Sequence, residues 1–244
     1  MTARSVLASA LLGEEPPELP VSHLVHLAGL FGVNENRARV ALSRMVAAGE
    51  VTTDGAGRYR LAGHLLERQG RQRTGRAGTT GPWSGRWSLV VVVAPASAPD
   101  VRAARRRLLA RARLGEVRDG VWARPDNLVL DLSGLSGDDV VVGTAELDVD
   151  SRHLAARLWD LDGWSARAQV LVAELDRLKP RGPDMLAAGF ELSATVVRHL
   201  LDDPLLPPAL LPEGWGGAAL RDRYDRWDAD YRRVLADWGR RRPR

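Results

Sequence analysis

One stretch of the chain gathers the side chains best suited to reading a double helix. Between Asn34 and Ala48, the residues Ala38, Ala41, Leu42, Met45 and Val46 recur at helical spacing and form one apolar face. Asn36, Val40, Ser43 and Ala47 fall on the opposite face, with Arg39 to one side and Arg37 and Arg44 to the other. Small and amide side chains let a helix sink into the major groove, and an asparagine can pair with adenine through two hydrogen bonds. Flanking arginines reach phosphates or guanine edges. The competing reading is the solvated face of an ordinary amphipathic helix. Two further arginines, Arg58 and Arg60, follow the turn Asp54-Gly55-Ala56-Gly57 and, two residues apart on a strand, point to one side. A wing uses such residues on phosphates or in the minor groove, whereas a charged hairpin edge guards against aggregation. The expected DNA-binding residues are Asn36, Arg37, Arg39, Val40, Ser43, Arg44, Arg58 and Arg60.

Other charged runs are less specific. Arg68, Arg71, Arg73 and Arg76 extend a phosphate contact or simply solubilise a linker. Arg102, Arg105, Arg106, Arg107, Arg111 and Arg113 form the densest basic cluster and read first as the solvent face of a half-buried helix. Enzyme signatures are scarce. No phosphate-binding GxxxxGK loop occurs, and Gly55-Ala56-Gly57 sits in a hairpin rather than between strand and helix. Ser133-Gly134-Leu135-Ser136-Gly137 has the wrong spacing for a nucleophile elbow. Of the histidines only His23 and His26 lie close, without an obvious third ligand, and are expected at the rim of a core. The carboxylates between Asp126 and Asp150 read as solvated surface. The expectation is a protein that is not an enzyme and carries no cofactor or metal.

Composition narrows the class. The 244 residues contain 45% hydrophobic side chains, ordinary for a globular chain, and no cysteine, so disulfides and thiolate chemistry are excluded. Lys179 is the sole lysine, and arginine supplies nearly all of the positive charge behind a net +4. That charge persists at every accessible pH, although a GC-rich genome accounts for much of the arginine and alanine. The longest apolar run, Leu89 to Ala96, falls far short of the roughly 20 residues that span a bilayer. Glu14, Glu15 and two prolines follow the first apolar stretch, against a secretory signal. A cytoplasmic protein without membrane contact is expected.

These residues need elements to hold them. Val6, Leu7, Ala10 and Leu11 mark a first helix ending at Gly13, and Leu24, Leu27 and Phe31 a second from Val21 to Phe31. Asn34 caps the third, which Gly49 stops. Val51 to Thr53 and Arg58 to Leu61 pair as a hairpin. Helix, helix, turn, helix, hairpin is the order of a winged helix-turn-helix. Glycines from Gly70 to Gly85 interrupt helical pattern and suggest a linker over 69–85. A buried strand from Trp87 to Val93 follows, then a helix from Asp100 to Leu114 with Val101, Ala104, Leu108 and Ala112 inward. Strands at 116–117, 121–123 and 140–147 complete a ferredoxin-like pattern whose second helix, between Pro125 and Gly137, is poorly marked. Beyond Ser151 the chain is helical, with a break at Gly163, a stop at Pro180, a helix from Pro183 to Leu201 and another from Ala218 to Trp238 before an Arg-rich tail. The fold class is α+β: a winged helix-turn-helix and linker in 1–80, a central ferredoxin-like α/β sandwich in 86–148, and a helical C-terminal domain in 151–244.

Four stretches resemble the PaaX-type regulators, repressors of phenylacetic acid degradation. They are Leu7 to Pro20, Phe31 to Leu61 around Arg39-Val40-Ala41-Leu42-Ser43-Arg44-Met45, Gly120 to Asn127, and Asp203 to Trp215. The resemblance implies a dimeric transcriptional repressor, released from operator DNA by an aromatic acyl-CoA such as phenylacetyl-CoA; a dimer reading two half-sites gives an inverted-repeat operator. The central domain is similar to small CRISPR-adaptation nucleases, but Ala94-Pro95 stands where those carry an acidic residue, and Val197-Arg198-His199 replaces a Trp-Arg pair usual in the family. The alternative function is a metal-dependent nuclease using Asp100 or Asp126. A third is a ligand-binding protein whose helix-turn-helix contacts another protein. The effector pocket is not located by sequence; Trp159, Trp164, Trp215 and Arg198 have the apolar walls and positive charge such a ligand needs.

Overall fold

A computed structural model describes residues 2–94, 98–132, 134–135 and 137–240. Pro95, Ser133, Ser136 and the end of the Arg-rich tail lie outside the described residues. The chain gathers into two compact units. The first comprises Met1–Ala77, Ala168–Asp202 and Ala218–Arg244, and the second Gly78–Arg167 and Asp203–Gly217. The helical C-terminal region therefore contributes to both.

In the first unit, α1 (Ala3–Leu12), α2 (Val21–Gly29) and α3 (Glu35–Ala47) surround a core of Leu7, Leu11, Leu24, Leu42 and Met45, all at most 1% exposed. α2 stops at Gly29, two residues short of expectation; Phe31 lies beyond it and packs instead on Phe190, ring centroids 5.2 Å apart. Gly32, at φ 69°, turns the chain into α3. The wing holds three strands, not two. β2 (Val51–Thr53) pairs with β3 (Arg58–Leu61), and β1 (Glu18–Pro20) pairs with the other side of β3, Glu18 opposite Arg60 and Pro20 opposite Arg58. Pro16-Pro17 reads as a turn in the sequence, and the strand that follows it ends in Pro20, which an edge strand tolerates because its outward side needs no ladder N–H.

The expected linker begins as a helix. α4 (Gly63–Ala77) runs through Gly70 and Gly75. Glycine disfavours a helix by about 1 kcal/mol each, but Leu65, Gln69 and Gly75 are buried against neighbours, and the Gln69 side-chain amide donates to the Glu14 carbonyl at 2.8 Å. Tertiary packing outweighs propensity here, and irregular chain starts only at Gly78. The remainder of this unit is the C-terminal half of α7 (Leu161–Arg177), α8 (Leu186–Leu201) and α9 (Gly217–Arg240). At Gly189 a Cβ would meet the Tyr231 ring at 2.5 Å, so this glycine permits the close approach of α8 to α9.

In the second unit, β4 (Trp87–Val92), β5 (Gly115–Arg118), β6 (Val121–Pro125) and β7 (Val140–Ala145) form an antiparallel sheet in the order β5-β6-β4-β7. With α5 (Pro99–Arg111) between β4 and β5, this is the split βαβ arrangement of a ferredoxin-like fold. On one face Val90, Leu109, Leu114 and Trp122 pack together. Val101, expected inward, is 45% exposed, and Leu109 takes the core position. Where the second helix belongs, Leu130, Leu132 and Leu135 cover the same core without helical structure among the described residues. Serine and glycine favour turns over a helix, and among the described residues between β6 and β7 a 3-10 turn, Gly137–Asp139, is the one helical piece.

The opposite face carries Trp87 and Ala123 against Leu154 and Ala155 of α6 (Ser151–Leu158) and Leu206 and Leu210 of the proline-rich segment. The break before α7 falls at Trp159-Asp160 rather than at Gly163. The Asp160 carboxylate accepts from the Gly163 N–H at 3.0 Å, and a Cβ at 163 would collide with that carboxylate. Arg124 is wholly buried. Its guanidinium donates to the Asn127 side chain (3.0 Å) and to the carbonyls of Pro125 (3.1 Å), Arg113 (3.3 Å) and Leu205 (3.3 Å). Burial, with Arg113 nearby, lowers its pKa to about 10. Asn127 donates to the Leu205 carbonyl at 2.9 Å. Two of the sequence stretches carrying the family resemblance, 120–127 and 203–215, are thus one hydrogen-bonded structure.

Candidate nucleic-acid interface

α3 is held from beneath and open above. Asn34 caps it, its side chain accepting from the Arg37 N–H at 2.9 Å, and Ala38, Leu42 and Met45 anchor the buried face. Val46, assigned to that face by spacing, is 37% exposed and lies at its margin. Asn36, Arg37, Arg39, Val40, Ser43 and Arg44 are all exposed. A groove of about 510 Å³ runs beside this face, floored by Val40, Ala41 and Met45 and rimmed by Asn36, Arg37 and Arg44. The root of the helix is braced by Arg4, which donates to Glu50 at 2.8 Å and holds that carboxyl below its ordinary range.

The arginines are not electrostatically equivalent. Arg39 is paired with Glu35 one turn back, at 2.8 Å. Arg58 and Arg60 both donate to Glu18, whose carboxylate their hydrogen bonds hold below its usual range. Among the described residues Arg37 and Arg44 have no carboxylate partner. Glu18 is the partner of these arginines that sequence reasoning missed, because its contact depends on β1 lying beside β3. The proline at position 20 and the acid two residues before it were the only local signals.

Tip geometry is set by Asp54, whose carboxylate accepts from the N–H groups of Ala56 (2.8 Å) and Arg58 (3.0 Å), with Gly55 and Gly57 at positive φ. Of the histidine pair, His26 stacks on Trp238 with ring centroids 3.8 Å apart. Among the described residues no group of three or more His, Asp or Glu could hold an ion. On α5, Arg106 pairs with Glu116 and Arg105 with Asp139, so part of that basic cluster is compensated within the sheet unit. Of the tryptophans considered for an effector, Trp164 stacks on Trp215 at 4.3 Å, and Trp159 and Trp215 pack against the cluster that contains Leu206 and Leu210.

Helix-turn-helix, wing and exposed arginine-bearing helix define a winged-helix protein. Comparison with known proteins places it further. Residues 2–65 match the family model described as PaaX-like protein, and residues 80–138 match the PaaX protein central Cas2-like domain. A solved structure, the uncharacterized protein Rv0674 from Mycobacterium tuberculosis, is 39% identical over 98% of this chain and 99% of that one, with a TM-score of 0.74. No curated protein matches the chain. The chain belongs to the PaaX family of DNA-binding transcriptional regulators. None of these comparisons supports the nuclease alternative. No helix among the described residues is long and apolar enough to cross a membrane.

Proposed function

We propose that the chain is a repressor that binds an inverted-repeat operator as a homodimer and leaves it when an aromatic acyl-CoA such as phenylacetyl-CoA binds. In this reading residues 1–80 read DNA, with α3 in the major groove. Asn36, Val40 and Ser43 meet base edges, while Arg37 and Arg44 meet phosphates or guanine. Arg39, Arg58 and Arg60 contribute less charge, being already paired. Residues 86–148 and 151–244 serve ligand response and assembly, and the protein acts in the cytoplasm by binding rather than by catalysis. The observation supporting the reading most directly is the exposed α3 face on which Arg37 and Arg44 have no carboxylate partner among the described residues.

A gel-shift titration against the DNA upstream of its own gene, with a panel of acyl-CoA thioesters, tests it. A discrete shift competed only by that sequence and reversed by one thioester is the expected result. A specific shift that no thioester reverses overturns the effector and retains the regulator. Two protomers reading half-sites about one helical turn apart, or a multiple of it, should protect a symmetric footprint.

A further inference from the structure

The first unit contains a cavity of about 490 Å³ that the DNA-binding reading leaves without a role. It opens to solvent and is lined by α1 and α4 of the winged region and by α8 and α9. One wall is electrostatically complete. Arg76 donates to Asp225 at 2.7 Å and to Asp228 at 2.9 Å, Arg232 donates to Asp228 at 2.9 Å, and Arg76 lies over the Tyr224 ring, 5.0 Å from its centroid. The other wall is not. Arg68 from α4 and Arg198 from α8 line the same space, and among the described residues neither has a carboxylate partner. Arg68 is half-buried; desolvation first, and then the charge of Arg198, hold its guanidinium below its ordinary value. Phe190, Ala194 and Val197 give this side an apolar surface. Two neighbouring cations, one drawn from water and without a counter-charge, lose free energy that an anion between them restores. The volume falls in the range of small-molecule sites, roughly 300–1,000 Å³.

We propose that this cavity is the effector site, and that it takes a small organic anion whose oxygens sit between Arg68 and Arg198 while its apolar body lies on Phe190, Ala194 and Val197. The inference rests on the ligand-released reading above and places its site. Two sources supply that chemistry: a free aryl carboxylate, or the acyl and phosphate groups of a thioester. The location also links ligand to DNA. α4 leaves the wing directly, Leu61 ending β3 and Gly63 opening α4, and α4 packs on α1, which carries α3. An anion held jointly by α4 and α8 therefore favours one placement of α4, and a ligand shifts a conformational equilibrium only through such differential contacts.

Isothermal titration calorimetry on the full chain, at low salt, with phenylacetate, phenylacetyl-CoA and inorganic phosphate as separate probes, decides the matter. The expected result is that an aromatic probe binds and phosphate alone does not. Arg68→Gln and Arg198→Gln should each weaken that probe at least tenfold, Ala194→Trp should abolish its binding by filling the space, and Arg107→Gln on α5 should change nothing. Binding of phenylacetate assigns the free acid, and binding of phenylacetyl-CoA alone assigns the thioester. Without ligand, Arg198→Gln should keep or raise the melting temperature, because it removes repulsion; a lowered value contradicts an uncompensated arginine. An aromatic probe that binds wild type and all three cavity variants equally overturns this site and leaves the ligand-released reading intact. If no probe binds and none releases the protein from operator DNA, both fall.

Discussion

Replacing Glu18 by glutamine is the most informative perturbation of the wing. Glu18 faces Arg60 across the β1–β3 ladder and accepts hydrogen bonds from both Arg58 and Arg60. One carboxylate therefore cancels one of the two positive charges that the wing presents. Glu18→Gln keeps the size and the acceptor oxygen but removes that negative charge, leaving one more cation free to displace a counterion from DNA. Each phosphate neutralised changes the slope of log K against log salt by about −0.9. The slope should steepen by that amount per protomer, or by about 1.8 for a dimer on two half-sites. At 0.1 M salt one further released counterion multiplies the binding constant by about 10^0.9, roughly eightfold per half-site, as an upper limit. Fluorescence anisotropy of labelled operator DNA at four or five salt concentrations measures both quantities. An unchanged slope with unchanged affinity would mean that the wing does not reach the phosphates. A flatter slope would mean that Glu18 itself orders Arg58 and Arg60 for contact, reversing the argument.

Other substitutions separate the roles. Arg37→Ala and Arg44→Ala should weaken binding with circular dichroism unchanged; where the arginine meets guanine the preference at that base pair relaxes, and where it meets a phosphate affinity falls evenly across sequences and the salt slope drops by about 1. Asn36→Ala should instead relax the preference at one base pair by about 1–3 kcal/mol, read by competition with single-base operator variants. In the sheet unit, Asn127→Ala removes an acceptor from the buried Arg124 and a donor to Leu205, and should cost about 1–3 kcal/mol in urea denaturation; a change below 0.5 kcal/mol, on the order of a surface substitution, would show the pairing to be dispensable. Burial and the charge of Asp228 push the Tyr224 hydroxyl up to about 12, above an ordinary value of 10.0. A group whose folded pKa is raised contributes stability that is whole below its unfolded pKa and lost as pH climbs through the folded one. The window here is pH 10 to 12, and Tyr224→Phe should show a shallower fall in melting temperature across it. Identical falls in the two proteins would place the tyrosine in solvent.

Much of the winged region was legible because its signals are local. Asn34 before a helical pattern, Gly49 after it, and Asp54-Gly55 between two β-prone runs each act on their immediate neighbours, and the structure places a cap, a stop and a turn at those positions. The alternation of Trp87 to Val92 with the 13-residue α5 after it likewise carried the ferredoxin-like order. Errors came where a distant partner outweighed local preference. Gly70 and Gly75 argued for a linker, but the burial of Leu65 and Gln69 pays for a continuous α4. Val101 matched the apolar spacing of α5, yet the sheet lies nearer Leu109. Leu130, Leu132 and Leu135 supply a second helix's apolar cover without its backbone, which no periodicity would reveal.

The sequence by itself determined the caps, turns and apolar faces of the helix-turn-helix, and with them which of Asn36, Arg37, Arg39, Val40, Ser43 and Arg44 share an outer surface. Those features depend on spacings of a few residues, over which backbone geometry is nearly fixed. Tertiary structure decided how charge is distributed among the arginines, because the partner acids are remote in the chain: Glu18 lies about forty residues from Arg58 and Arg60. It also joined Arg124 and Asn127 to the carbonyl of Leu205, and brought Arg68 and Arg198 to one cavity. Electrostatic and hydrogen-bond energies depend on separation in space, and for pairs this far apart in sequence only the folded chain sets it.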